Sequence, residues 1–254
     1  MIVTFLGTGT SQGVPVIACE CHVCQSLDYR DKRLRTSIHI MVDNVSIVVD
    51  TGPDFRQQML EARVKKLDAI LYTHAHKDHT AGMDDIRSFN FIQRKDMPIY
   101  ARKDVIAQLK KEFSYVFEGV QYPGVPKVDV RYIDKDPFDV DGVKIIPINT
   151  MHYQLPVLGF RIHNLVYITD TNYISDEEKI KIKGCDTLII NALQREKHIS
   201  HYNLEEALEV IKELTPKQAY LVHLSHRMGL HKETEAILPA NVFVAYDGLK
   251  IDVA

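Results

Sequence analysis

The chain has 254 residues, 45% of them hydrophobic and 26% charged, with a formal charge of −3. That length holds one large domain or two small ones, and the composition is that of a folded globular chain rather than a disordered one. The slight negative charge argues against a nucleic-acid surface, and the sequence has no apolar run of membrane-spanning length.

Met1 leads directly into an apolar strand over residues 2–6 rather than into a signal peptide, so the cytoplasm is the expected compartment. A glycine-rich loop follows, Gly7-Thr8-Gly9-Thr10-Ser11-Gln12-Gly13. Residues 37–49 read as a hairpin turning at Asp43-Asn44. Pro53 opens a helix expected from Asp54 to Arg63. Leu67 to Thr73 is a strand that runs into a histidine cluster, with a further helix starting near His79. A strand over 98–101 and a helix over 103–113 come next, and 114–137, with three prolines, reads as a long loop beside the site.

In the second half, hairpins are expected at Asp141-Gly142, His163-Asn164 and Asp247-Gly248. Ser175 and Asn203 each precede a Glu by three residues and mark helix starts. Strands near 186–191 and 218–223 complete the chain. The pattern predicts an α/β fold, two sheets flanked by helices, in one domain spanning 1–254.

The informative stretch is Thr73-His74-Ala75-His76-Lys77-Asp78-His79. A single histidine among twelve is ordinarily a surface or core residue, and His39 and His163 are assigned to that role. Four potential ligands in six residues rarely arise from packing needs. Imidazole with carboxylate suits zinc, manganese or iron. His74 and His76 follow a two-residue period and can face one ion. Asp78 and His79, near a helix start, can face a neighbouring one. Two ions need further ligands, and each remaining candidate lies where an apolar strand runs out: His152 after 143–148, Asp170 after 165–168, His223 after 219–222. Asp170 can bridge both ions through its two oxygens.

The order Thr-His-x-His-x-Asp-His, then a distant His, an Asp and a last His, resembles the metallo-β-lactamase superfamily along essentially the whole chain. Asp50, in Val49-Asp50-Thr51-Gly52, resembles its first, structural motif; taken alone it is a turn former. The resemblance implies an αββα four-layer sandwich with the site at one edge. It also implies that His74, His76 and His152 hold one ion, that Asp78, His79 and His223 hold the other, and that Asp170 bridges them.

A second cluster is Cys19-Glu20-Cys21-His22-Val23-Cys24. Cys21-x-x-Cys24 alone is weak evidence for a redox pair; with Cys19 added, three thiolates suit a closed tetrahedral structural zinc. His22 is too constrained by its neighbours to close the site. His226, three residues past His223 and up to roughly 10 Å further along an extended chain, is free to do so. This cluster, with Asp78-His79-Thr-Ala-Gly-Met-Asp84-Asp85-Ile-Arg87-Ser-Phe, resembles the PhnP-type phosphodiesterases, which act on phosphoribosyl cyclic phosphate. Cys185 falls outside the pattern and is read as a buried small apolar residue.

Two such ions would make water nucleophilic near neutral pH and hold a phosphoryl oxygen. A sugar alkoxide leaving group needs a proton, and Lys197-His198-Ile199-Ser200-His201 is the candidate source. The resemblance places a catalytic histidine in this region, carried onto His201 with His198 as the alternative. The expected activity is therefore metal-dependent hydrolysis of a small cyclic phosphodiester, with Zn or Mn in the pair. A homodimer is compatible with the sequence. The competing readings are an ester or thioester hydrolase of the glyoxalase II or lactonase kind, a tRNA 3′-processing nuclease, for which no projecting arm is evident, and a non-catalytic zinc-binding protein.

Overall fold

The computed structural model describes residues 1–118 and 122–253. The first sheet takes β1 (Ile2–Gly7), β2 (Ser37–Val42), β3 (Val45–Val49), β4 (Ala69–Leu71), β5 (Met97–Ala101) and β6 (Val128–Tyr132). The second takes β7 (Phe138–Val140), β8 (Val143–His152), β9 (Leu155–Ile162), β10 (Leu165–Tyr167), β11 (Tyr173–Ile174), β12 (Thr187–Asn191), β13 (Gln218–Val222) and β14 (Val242–Val244). Finally β15 (Lys250–Asp252) returns to pair with β1.

Period-two alternation explains how these strands stack. Successive side chains on a strand face opposite ways. Ile47, Val49, Ala69 and Leu71 meet Leu165, Tyr167, Ile189 and Val222 between the sheets. Val48 and Ile70 turn outward onto α1 (Phe55–Ala62), α3 (Arg87–Gln93) and α4 (Lys103–Glu112) through Phe55, Met59, Phe89, Ile106 and Leu109. On the other side Val166, Leu188, Ile190 and Leu221 turn onto α6 (Asp176–Ile182) and α7 (Leu204–Leu214) through Ile182, Ala207, Val210 and Ile211. Every residue of β3, β10 and β12 is buried, which is why they read as unbroken apolar runs. Cys185 is buried in the second outer layer. The result is the expected helix–sheet–sheet–helix sandwich.

Within each sheet an antiparallel half passes into a parallel one: β3, β4, β5 and β6 in the first, β10, β12, β13 and β14 in the second. Asp50 directly follows β3, His74 lies three residues past β4, Asp170 three past β10, and His223 directly past β13. Open sheets bind ligands beyond the carboxyl ends of parallel strands, and here both sheets deliver those ends to one edge. The opposite edge carries the hairpin tips at Asp43-Asn44 and His163-Asn164, where His163 Nε2 is 3.3 Å from Asp43 Oδ2.

Three expectations need correction. Asp247-Gly248 is a turn but not a hairpin: β14 stays in the second sheet on β13, whereas β15 crosses to β1. The reason is tertiary. The Gly248 amide donates to Phe5 O and the Asp247 carboxylate accepts from Thr8 Oγ1 and the Leu34 amide, so the turn is anchored on the first sheet. The segment 114–137 holds α5 (Ser114–Phe117) and β6 rather than a continuous loop; Gly119, Val120 and Gln121 lie outside the described residues. The helix near His79 is a single turn, α2 (Lys77–Thr80), with His76 at its N-cap.

Candidate metal centre

Asp50, Asp170 and His223, each just past a strand, have φ of 65°, 52° and 57°. That left-handed conformation is uncommon for residues with a Cβ and costs of order 1–3 kcal/mol, held by surrounding structure. Here it turns the chain sharply at the strand end, where these buried side chains gather. Close approach of the loops tightens the same edge. The Thr51 amide donates to His79 O and the Gly82 amide to Thr51 O, both at 2.8 Å. A Cβ on Gly52 would lie 2.3 Å from Asp78 O, so only glycine lets the ligand turn sit this close.

The seven expected ligands converge. His79 Nε2 lies 3.2 Å from Asp78 Oδ2 and 3.1 Å from Asp170 Oδ2. His223 Nε2 lies 3.1 Å from Asp170 Oδ1 and 3.6 Å from Asp78 Oδ2. The ring of His74 is 4.5 Å from that of His76 and 4.3 Å from that of His79, and His76 is 5.2 Å from His152. Asp170 is common to two groups whose ligand atoms all lie within 4.8 Å, one with Asp78, His79 and His223, the other with His152 and His201. A carboxylate shared in this way is placed to bridge.

Hydrogen bonds fix which imidazole nitrogen faces inward. His79 Nδ1 bonds Asp50 Oδ2 at 2.7 Å and His152 Nδ1 bonds the Ser200 carbonyl at 2.7 Å. His74 Nδ1 lies 2.9 Å from Thr73 Oγ1, which itself donates to Asp50. Such partners set ring orientation and tautomer. The inward Nε2 atoms of His74, His79 and His223 are buried and make no hydrogen bond. Buried polar atoms are almost always partnered. Unpartnered imidazole nitrogens converging with the carboxylates of Asp78 and Asp170 fit divalent cations, so the residues suit the metal pair the superfamily implies.

The buried carboxylates and imidazoles set one another's charge. Burial opposes a charge on His79, yet the carboxylates of Asp170, Asp78 and Asp50 raise it well above the ordinary histidine range. Burial would raise Asp170, but His223 and His79 hold it well below the usual carboxylate range. Asp78 is also lowered, against burial, chiefly by His79. Burial pushes the Asp50 carboxyl up and His74 well down.

His201 is buried beside this cluster, its ring 4.4 Å from His152 and 5.0 Å from His223, with Nδ1 3.9 Å from Asp170 Oδ1. Burial and then His223 push it down to about 3. His198 is exposed, 5.2 Å from His201, and bonds Ser200. A cleft of about 510 Å³ opens over His76 and His152, walled by Tyr153, Gln154, Leu155, Ile199 and Ser200.

The cysteine cluster forms separately. Sγ of Cys19, Cys21 and Cys24 lie 3.3, 3.4 and 3.5 Å from His226 Nδ1. Bonds of about 2.3 Å to sulfur and 2.0 Å to nitrogen at tetrahedral angles put N and S roughly 3.5 Å apart, so the spacing fits a zinc-sized ion. The Cys24 amide and neighbouring groups lower Cys21 to about 6, whereas burial pushes Cys24 up to about 11. His22 is exposed and takes no part.

A family model described as a β-lactamase superfamily domain matches residues 46–224. The solved structure of a diphosphatase from the PhnP family superposes with a TM-score of 0.93 at 36% identity, covering 100% of this chain and 98% of that one. The chain belongs to the metallo-β-lactamase superfamily, in its PhnP family. A probable metallo-hydrolase of Bacillus subtilis, YhfI, is 26% identical over 222 residues, 80% of this chain and 86% of that protein. An octanoyltransferase of Porphyromonas gingivalis is 40% identical over 248 residues, 96% of this chain. The chain spans only 50% of that relative's length.

What a sequence reading of this PhnP-family chain misses is the orienting set. Thr73 heads the histidine motif without a role assigned to it, and Thr169 belongs to no motif, yet Thr73 ties His74 to Asp50 and Thr169 Oγ1 donates to Asp170 at 2.6 Å. Ser200 acts through its carbonyl, which every residue has. Adjacency to a ligand was the one available signal for the threonines.

Proposed function

We propose that this chain is a dinuclear metal-dependent phosphodiesterase whose substrate is a small cyclic phosphodiester of the phosphoribosyl cyclic phosphate kind. Two divalent ions, Zn or Mn, held by His74, His76, Asp78, His79, His152, Asp170 and His223, would supply Lewis acidity and a nucleophilic water at neutral pH. The remaining work falls to the chain's own residues. The observation that carries the reading is His201. Its Nδ1 is buried, unbonded and 3.9 Å from Asp170, so an imidazole stands at the ligand edge. Burial and His223 disfavour its charged form, and an anionic phosphoryl group beside it would supply the charge that lets it carry the proton it donates. Ring opening releases a poor alkoxide leaving group, and its departure depends on such a donor. The His152–Ser200 hydrogen bond ties the loop carrying His201 to the ligand strand. The Cys19, Cys21, Cys24 and His226 cluster holds a structural zinc on this reading, and the substrate is met in the cytoplasm.

Membership of the PhnP family supports a phosphoryl substrate, and its diphosphatase member adds the P–O–P bond as a related target. A second reading, hydrolysis of an acyl thioester, is favoured by the octanoyltransferase relative. It ranks lower because this chain accounts for half of that protein.

The test is a panel of a cyclic sugar phosphate, a nitrophenyl diester, a diphosphate, a lactone and an octanoyl thioester. On the cyclic sugar phosphate His201→Ala should lose about 10²–10⁴-fold, and far less on the nitrophenyl diester, whose leaving group needs no proton. Metal content should stay unchanged. Equal losses with loss of metal would mark His201 as a ligand, a role its grouping with His152 and Asp170 allows. Thioester or lactone hydrolysis without diester hydrolysis overturns the proposal.

A further inference from the structure

The cleft over His76 and His152 has a composition that a phosphate alone does not explain. Its wall is Tyr153, Gln154, Leu155, Ile199 and Ser200, and among these described residues none is Lys, Arg, Asp or Glu. Tyr153 and Ile199 are 54% and 68% exposed, so an aromatic face and an aliphatic one are left open to solvent beside two expected ligands. Neither stands on a loose loop. Tyr153 sits at the β8–β9 turn with φ of 56°. Its amide donates to Asn172 Oδ1 at 2.8 Å, and Asn172 Nδ2 donates to Ile199 O at 3.0 Å. The Asn172 amide in turn donates to Met151 O. One side chain thus ties both walls of the cleft to the ligand-bearing β8. A ring presented on a fixed backbone costs little further ordering when something stacks on it.

We infer that Tyr153 and Ile199 form a subsite for a flat, uncharged heterocycle of the nucleobase type attached to the substrate's phosphorylated sugar. The inference rests on the phosphodiesterase reading and narrows its substrate class to nucleotide-like esters. A sugar phosphate alone offers no planar face to the tyrosine ring. A charged extension would lie against a wall without a countercharge. A heterocycle meets both demands: it stacks on the tyrosine, packs its edge on Ile199, and finds donors and acceptors in Gln154 and Ser200.

The experiment is calorimetric titration of the metal-loaded protein with adenosine 5′-monophosphate and with ribose 5-phosphate, which differ by the base. Stacking on an aromatic side chain predicts a preference of roughly five- to 150-fold for the base-bearing ligand. Tyr153→Phe should keep that preference and Tyr153→Leu should abolish it, with melting unchanged because the side chain is exposed. Equal affinity for the two ligands, or a preference that survives Tyr153→Leu, overturns the inference. The phosphodiesterase reading fails by a different route. A base preference without hydrolysis of any diester would leave the subsite standing and remove the activity, and diester hydrolysis without a base preference would do the reverse.

Discussion

The residue that decides most at this edge is Asp50, which is not expected to be a metal ligand. Its carboxylate takes His79 Nδ1 on one oxygen and Thr73 on both, while its own left-handed backbone ends β3. Asp50→Asn keeps the shape and loses the charge that holds His79 in one tautomer. Metal affinity should fall about 10–100-fold with little change in the fold. Competition with a chromophoric chelator measures it, and unchanged affinity would show that His79 needs no orienting carboxylate. His39 illustrates the other kind of histidine. Burial, with Lys250 adding to it, lowers its pKa from 6.5 to about 4, and Nε2 lies 2.8 Å from Ser46 Oγ. The folded value is depressed, so the folded state disfavours the proton. Its stabilising contribution is full above pH 6.5 and is lost as the pH falls from there towards 4, by roughly 3 kcal/mol at most. His39→Gln should flatten that part of the decline in urea unfolding between pH 7 and 4. Parallel wild-type and variant curves would contradict a buried neutral imidazole.

At the scale of elements, the segment from β13 to His226 joins the two clusters. His223 belongs to the paired site and His226 to the cysteine site. Between them the Leu224 amide donates to Thr8 O, and Leu224 O accepts from the Thr10 amide. The cysteine loop has a small core of its own, with Val14 and Val23 beside Cys24. With so little apolar area, a zinc held by these thiolates would supply much of the loop's folding energy directly. Cys21→Ser should therefore lower melting and zinc content. His76→Ala, on the open side of the cleft, should abolish turnover while the fold persists. Inactivation by Cys21→Ser with melting and metal unchanged would contradict this division. The same elements show what was legible beforehand. His74, His76, Asp78 and His79 declare themselves because their relation is local. His152, Asp170 and His223 were readable because each ends an apolar run. The fate of Asp247-Gly248 was not, since turn residues specify a bend but not which sheet the chain joins next. β6 alternates Val128, Val130 and Tyr132 with Asp129 and Arg131, but it is a short, only half-buried edge strand among prolines, and the prolines outweigh so brief a stripe in a reading of sequence alone.

For the whole molecule, the metal edge is where the two halves of the sandwich meet. His74, His76, Asp78 and His79 follow β4 of the first sheet, whereas His152, Asp170 and His223 end strands of the second. Elsewhere the sheets hold together through the apolar layer between them. At this edge that layer gives way to histidines and aspartates, several with buried nitrogens that make no hydrogen bond. Such groups oppose folding unless cations occupy the space among them. Two ions binding the folded state alone would add about 4 kcal/mol per site at a free concentration of roughly 1,000 Kd. Gently purified protein should thus approach three metal ions per chain, two exchangeable and one held by the thiolates. A mild chelator should remove the pair first. Melting should fall in that step, because the edge loses the charges that offset its own, and fall again when the thiolate-bound ion is stripped. Metal added back should restore both steps in order of affinity, the thiolate site filling before the pair. Elemental analysis alongside calorimetric melting reads each stage. Protein that is metal-free yet melts no lower than the loaded form would mean that the two halves close on this edge without ions, and the metal assignment would fall with it.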